Sequence, residues 1–401
     1  MRDENSDMLG KEAAALRALE TQAKRVTGLF ERAGYLPVDP PILQPAQVFL
    51  DRSGENIRRR MYVFTDPDGA ELCLRPDLTI PTCRLYLERH PKARNLGQFF
   101  YQGTAFRFQT KAPWTAREFT QTGVERIGGE GPCEQIDAEM AALAVQAVRE
   151  AGLETFEIEM GDLSLFGTLV DQLDVPPAWK ARLKRKFWRP DYFRDLLMRL
   201  AEETGETAPG DDKKGLFTAL EALDTQGAQK FIEDVLELAG IAPIGGRTIS
   251  EIAERLTDQA TDAGTQTMGG EVATLLSDFL AISGTPDACL TQMADLTSRA
   301  GISLAHQLGI VARRFEALTK QGVDLSGARF SAGFGRNMEY YTGFVFELRA
   351  AGPDGPLNVA GGGRYDSLLE SLGAPQAVPA VGCAIAAERL AAAIAEQGGP
   401  S

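Results

Sequence analysis

Residues 336–348 read RNMEYYTGFVFEL, and residues 361–366, a short way downstream, read GGGRYD. The first stretch sets an arginine, a glutamate and two phenols ahead of a run of phenylalanines typical of a strand. Strand alternation puts Glu339, Tyr341 and Glu347 on one face and Tyr340, Phe344 and Phe346 on the other. Tyr341 therefore reads as a ligand contact and Tyr340 as a core residue. Taken alone, GGGRYD is equally what a tight turn before a helix requires. An arginine and an acid near strand ends are equally an ordinary surface ion pair.

The chain around these segments has 401 residues, enough for two or three domains with cores of their own. It is 44% hydrophobic and 24% charged, an ordinary globular composition. The opening MRDENSDMLGKEAAAL is polar and acidic and does not read as a signal peptide. No apolar stretch approaches the roughly 20 residues needed to span a bilayer, so the expectation is a soluble, cytoplasmic protein with no membrane partner. Net charge is −14, which argues against nucleic-acid binding as the main role, because phosphate contacts call for a basic excess. Five cysteines without a CxxC pair and two histidines, His90 and His306, give no zinc-like cluster, so no metal and no cofactor is expected.

Hydrophobic periodicity predicts a helix from Glu12 to Ala33, stopped by Gly34. GYLPVDPPILQPAQVF reads as extended because its prolines exclude a helix, and MYVFTDPDGAELCLRPD reads as a hairpin about DPDG. TIPTCRLYLERHP is expected to be helical after its proline. LGQFFYQGTAFRF and REFTQTGVERIGG form two strands joined by QTKAPWTA. A helix with Ile136, Met140, Leu143 and Ala147 on one face ends at Gly152, and TFEIEMG follows as a strand. Residues 167–300 are mostly helical by pattern and include KARLKRKFWR, a basic stretch that reads as a solvated helix face, with a patch for an acidic partner as the alternative. Strand character returns near residue 328, and an alanine-rich helix is expected from about Gly382 to Gln397.

Several segments stand in the order they have in one family. LRPDLTIPTCRLYLERH, FYQGTAFR and REFTQTGVERIGG resemble the motif 2 region of histidyl-tRNA synthetases. RNMEYYTGFVFE and GGGRYDSLL resemble that family's two histidine-recognition segments, PAVGCAIAAERL resembles motif 3, and GYLPVDPPILQ is similar to motif 1. The resemblance implies an α+β fold: a class II aminoacyl-tRNA synthetase-like core with a mainly antiparallel sheet and a mostly helical insertion. The core's first part would span 1–166, the insertion 167–300 and the second part 301–397, with a tail at 398–401. It also implies a histidine-like pocket. Asp77, Thr79 and Gln121 would meet the ammonium and carboxylate, Arg107 and Arg336 would meet negative charge, and Glu125, Tyr341 and Tyr365 would line the imidazole.

Departures from the synthetase pattern steer the function. The motif 2 signature FRxE here reads FRFQ, which keeps Arg107 but puts Gln109 at the acidic position. Thr115 stands where a further basic residue is usual. Adenylate formation depends on stabilising charge at the phosphates, so such losses are expensive. With Arg389 of motif 3, Arg107 and Gln109 would mark a remnant nucleotide site; Ala386 replaces a motif 3 glycine. Only 12 residues follow Arg389, where a synthetase continues into an anticodon-binding domain. The combination resembles the ATP phosphoribosyltransferase regulatory subunits of histidine biosynthesis. That branch implies no tRNA and no catalytic residue, a hetero-oligomer with a short-form catalytic subunit, L-histidine as effector, and a homodimer built through motif 1. The alternative is a synthetase-like paralogue that makes an aminoacyl adenylate for a non-tRNA acceptor.

Overall fold

The computed structural model describes residues 12–50, 60–108, 117–187, 193–194, 196–198, 230–231, 270–335 and 340–398. By contact the chain divides into one unit of Met1–Arg194 with Leu275–Ser401 and a second of Asp195–Thr274. Apart from residues 270–274, everything below concerns the first unit.

Helix α1 (Ala13–Arg32) buries Ala23, Val26, Leu29 and Phe30 as one stripe. The chain then turns at Gly34, whose φ of +87° is left-handed. Strands β1 (Leu36–Pro37) and β2 (Leu43–Pro45) follow. The expected extended segment ends earlier than its prolines suggested: directly after Pro45, Ala46–Leu50 form the short helix α2. Strands β3 (Tyr62–Thr65) and β4 (Glu71–Leu74) form the predicted hairpin, closed by the Asp66 carboxylate accepting from the N–H groups of Asp68 and Ala70. With β2 they make a three-stranded sheet ordered β2-β4-β3. Helix α3 (Thr79–Arg89) begins two residues before Pro81 rather than after it. Proline is tolerated there because first-turn N–H groups have no partner within the helix.

The main sheet gains β5 (Gly97–Phe106), β6 (Glu118–Ile127), β7 (Glu157–Asp162), β8 (Ser283–Gly284), β9 (Arg329–Ser331), β10 (Phe344–Gly352), β11 (Gly355–Arg364) and β12 (Ala380–Ala386). Its order is β1-β5-β6-β12-β11-β10-β7-β9-β8. The sheet is mixed, which corrects the expectation of a mainly antiparallel one: β1 runs parallel to β5, and β7 parallel to β9. Hairpin signals report only antiparallel neighbours. Parallel partners meet through long crossovers that local patterning does not record.

Helix α4 (Cys133–Ala151) buries its predicted face and stops at Gly152, φ +111°. Further helices among the described residues are α5 (Leu163–Gln172), α6 (Pro177–Lys186), α7 (Gly270–Ala281), α8 (Pro286–Arg299), α9 (Ala305–Lys320), α10 (Leu368–Ser371) and α11 (Ala387–Glu396). The last expected helix starts five residues late, because 382–386 belong to β12, paired on both sides in the sheet interior. Likewise Gly361–Gly363 lie within β11 and are not a turn. Helices α1, α4 and α11 pack on the sheet, and α1 packs against both of the others. A second core joins α2, α3 and α10 to Phe99, Ile127, Tyr340 and Tyr365. A cavity opens beside this second core.

Four buried charges tie the layers together. Arg314 of α9 pairs with Asp162 at the end of β7 (2.8 Å) and with Asp137 of α4 (2.9 Å), and Arg364 of β11 takes the other Asp137 oxygen at 2.6 Å. Such a cluster holds only when every partner is present.

Candidate functional site

A cavity of about 320 Å³ is floored by β6, β11 and β12 and walled by the turn into α3 and the approach to β10. Small residues make the floor. Glu125 of β6 faces Gly382 of β12 in register, and a Cβ at Gly382 would overlap the Glu125 carboxylate. Gly123 faces Tyr101 of β5, and a Cβ there would overlap the Tyr101 hydroxyl. Gly362 lies equally close against Gly382 and Cys383. The glycines let large polar side chains lie flat across the sheet.

Glu125 is 1% exposed. Its Oε1 accepts from Tyr101 Oη at 3.0 Å and its Oε2 from Tyr365 Oη. Burial pushes the carboxyl up to about 7, against the pull of the Tyr365, Thr79 and Tyr101 hydroxyls. Asp77 lies in the turn before α3, where its Oδ1 accepts from Ile80 N–H at 3.2 Å while its buried Oδ2 has no partner. Burial raises the Asp77 carboxyl above its ordinary range; Arg107 and the Ile80 and Thr79 N–H groups pull it part of the way back. Gln121 Oε1 accepts from Leu78 N–H at 3.0 Å, which fixes the amide at the cavity wall. Thr79 Oγ1 stands 3.4 Å from Tyr101 Oη.

The other end of the cavity is cationic. Arg107 donates from Nε to Pro76 O at 2.7 Å and lies over the Phe119 ring. Arg389 of α11 donates to Asn358 O at 3.3 Å. Burial, and then the nearness of Arg107, draw the Arg389 guanidinium down from its ordinary value. Glu347 and Arg349 of β10 are paired at 2.9 Å on the same rim.

Asp77, Thr79, Arg107, Gln121, Glu125, Tyr341 and Tyr365 all line this cavity, and Arg389 lines it with them. Arg336, Gln109 and Thr115 lie outside the described residues. Tyr340 and Tyr341 both precede β10 rather than sitting in it, their rings 4.6 Å apart. Tyr340 is buried in the second core and Tyr341 is half-buried, and both reach the cavity. Tyr101, one of the two phenols on Glu125, was not anticipated from sequence. The signal that could have found it is Gly123, the small partner that its ring requires on the neighbouring strand.

Gln44, in the segment similar to motif 1, is buried, donating to Pro41 O at 2.8 Å and accepting from Arg84 at 2.5 Å. That amide closes local contacts within the fold. No helix among the described residues is long and apolar enough to cross a membrane.

Comparison with known proteins places this geometry in a family. The histidyl-tRNA synthetase family model matches residues 5–238 and 226–390. The ATP phosphoribosyltransferase regulatory subunit of Brucella anthropi is 34% identical over 361 residues, covering 90% of this chain and 93% of the relative. That of Brucella ovis is 36% identical over 368 residues with the same coverage. Among solved structures, an ATP phosphoribosyltransferase regulatory subunit/histidyl-tRNA synthetase from Bacillus halodurans superposes with a TM-score of 0.67 at 20% identity, over 98% of this chain and 83% of that one. A histidine–tRNA ligase subunit from Alicyclobacillus acidocaldarius gives 0.60 at 24% identity, over 99% and 98%. The superpositions establish the class II synthetase-like fold, and the identity held across nine-tenths of the sequence establishes the branch: the chain belongs to the ATP phosphoribosyltransferase regulatory subunit family.

Proposed function

We propose that this chain is the regulatory subunit of an ATP phosphoribosyltransferase, acting in the cytoplasm on the first step of L-histidine biosynthesis. It assembles with a short-form catalytic subunit, and the bond between ATP-derived adenine and phosphoribose is made in that partner. The observation that carries the reading is the identity of 34–36% with regulatory subunits over 90% of the chain. The cavity supports a histidine-sensing role for it. Asp77 offers an unpartnered buried oxygen to an ammonium, Gln121 and Arg107 stand near enough to serve a carboxylate, and Glu125 with Tyr341 and Tyr365 suits a ring bearing two nitrogens. Feedback then operates because histidine binds one state of the complex more tightly than another.

The test is phosphoribosyl transfer from phosphoribosyl pyrophosphate to ATP by the short catalytic subunit of the same organism, with and without this chain, across a histidine titration. Activation by the chain that histidine reverses is the expected result. Activation insensitive to histidine keeps the subunit role and removes the effector role. No activation, together with histidine-dependent exchange of pyrophosphate into ATP by the chain alone, would replace the proposal with an adenylate-forming enzyme. Arg107 and Arg389 at the cationic end are the observation that favours that second reading.

A further inference from the structure

The two phenolic protons satisfy one lone pair on each Glu125 oxygen and supply no charge. Among the described residues no guanidinium or ammonium forms an ion pair with this carboxylate. Among the described residues, the groups packed around it are uncharged or acidic. Tyr101 comes from β5, Cys383 from β12, and Thr79 and Cys83 from α3. Tyr365 follows β11, and Tyr340 and Tyr341 precede β10. Burial raises each of these thiols and phenols, so all stay neutral near pH 7. The charged neighbour is Asp77, an acid that is itself buried and short of a partner. Arg107 answers Asp77 from the cationic end of the cavity, so Glu125, which has no ion-pair partner among the described residues, is the acid that an incoming positive charge would let ionise.

Resting on the reading that the cavity takes histidine, we propose that it takes the ligand with its imidazole ring protonated, Glu125 serving as the counter-carboxylate of the cationic ring. Specificity then lies in the basicity of the ring as well as in its shape. The proton balance follows. Near neutrality the empty cavity holds a proton on Glu125; on binding, the carboxyl O–H bond breaks and a ring N–H bond forms, with no net exchange with water. At higher pH, where Glu125 is already ionised in the empty cavity, a neutral ring brings in one proton from solvent. At lower pH both the ring and Glu125 arrive protonated, free histidine having a ring pKa of about 6.5, and one proton leaves. Affinity therefore peaks near neutrality and falls on both sides. A neutral ring donating to an ionised Glu125 gives the other profile, rising with pH and then level.

Titration calorimetry on the full chain and on its complex with the catalytic subunit separates the two. L-histidine is compared with 2-fluorohistidine, which has the same shape and α-ammonium but a ring too weakly basic to hold a proton near neutral pH. At about pH 8, in phosphate and in Tris, histidine is expected to take up close to one proton more than the fluoro analogue, and to bind at least roughly tenfold more tightly. In Glu125→Gln the two ligands should converge. Equal affinity and equal proton uptake on the unmutated protein overturn the charged-ring proposal and leave the histidine site standing. Failure of histidine to bind either the chain or the complex overturns the site and this proposal together.

Discussion

The Glu125 carboxylate occupies the space above Gly382, its register partner on the adjacent strand, so the most buried acid of the cavity depends on a missing side chain. Gly382→Ala puts a methyl group where Oε2 lies. The backbone there is regular strand, so the cost is one of packing, about 1–3 kcal/mol. Because Glu125 must move away from both Tyr101 and Tyr365 to relieve the overlap, ligand affinity should fall further than stability. Calorimetric titration with histidine beside a urea melt checks both. A variant that binds normally would show that Glu125 can shift without consequence for the site.

The empty protein should lose stability as pH rises through the Glu125 transition. Its carboxyl stands at about 7 when folded against 4.5 ordinarily, with burial the main cause. The folded state therefore holds more protons than the unfolded one between those values. Stability falls with rising pH across that window, and the loss, on the order of 3 kcal/mol, is complete above it. Glu125→Gln abolishes this dependence, since the amide keeps an acceptor for one phenol and offers a donor to the other. Thermal melts at pH 5 and pH 8 should show the variant gaining several degrees on the wild type at the higher pH. A constant gap between the two curves would mean that Glu125 ionises normally.

The synthetase-like core was legible because its segments keep their order, and local periodicity placed the β3–β4 hairpin and α1 within a residue or two of where they form, and gave the buried face of α4 and its stop at Gly152. What failed was information held between distant segments. Nothing in Leu36–Pro37 announces that it will lie parallel to β5, and nothing in Arg329–Ser331 announces β7. The run from Gly382 onward is rich in alanine and is expected to be helical. Its first five residues become strand because β6 and β11 hold them on both sides. At the site, Glu125 and Tyr365 could be read from family motifs, whereas Tyr101 sits in FYQGTAFR with no local mark of which face its ring would take.

Tyr101→Phe tests that residue. The change keeps the ring packed over Gly123 and removes one donor to Glu125 Oε1. Loss of a hydrogen bond to a carboxylate costs about 1.5–3 kcal/mol when the acceptor is ionised and less when it is protonated. The Glu125 transition should accordingly move upward, and histidine affinity should drop by roughly tenfold at pH 6, where only the bound state carries the ionised acceptor, and less at pH 8, where the empty site is ionised as well. An affinity loss independent of pH would place the effect of Tyr101 in packing rather than in holding charge.

The Arg314–Asp137–Arg364 cluster links helix packing to the cavity. Asp137 is fully buried and bridges two guanidiniums, and Arg364 immediately precedes Tyr365, whose hydroxyl rests on Glu125. Arg364 also holds Asp366 at 3.0 Å, and Asp366 in turn accepts from the Ala380 N–H at the start of β12. Asp137→Ala leaves two buried cations short of a partner and should cost about 3–5 kcal/mol, seen as a lower urea midpoint at unchanged slope. Removing one of the stranded charges as well, in Asp137→Ala with Arg364→Met, should recover part of that loss, because burying an unpaired guanidinium is the larger share of it. Ligand affinity should not recover in the double variant, since a thioether in place of the Arg364 guanidinium cannot hold Asp366 and the turn that carries Tyr365. Recovery of both properties together would confine the cluster to stability and disconnect it from the site.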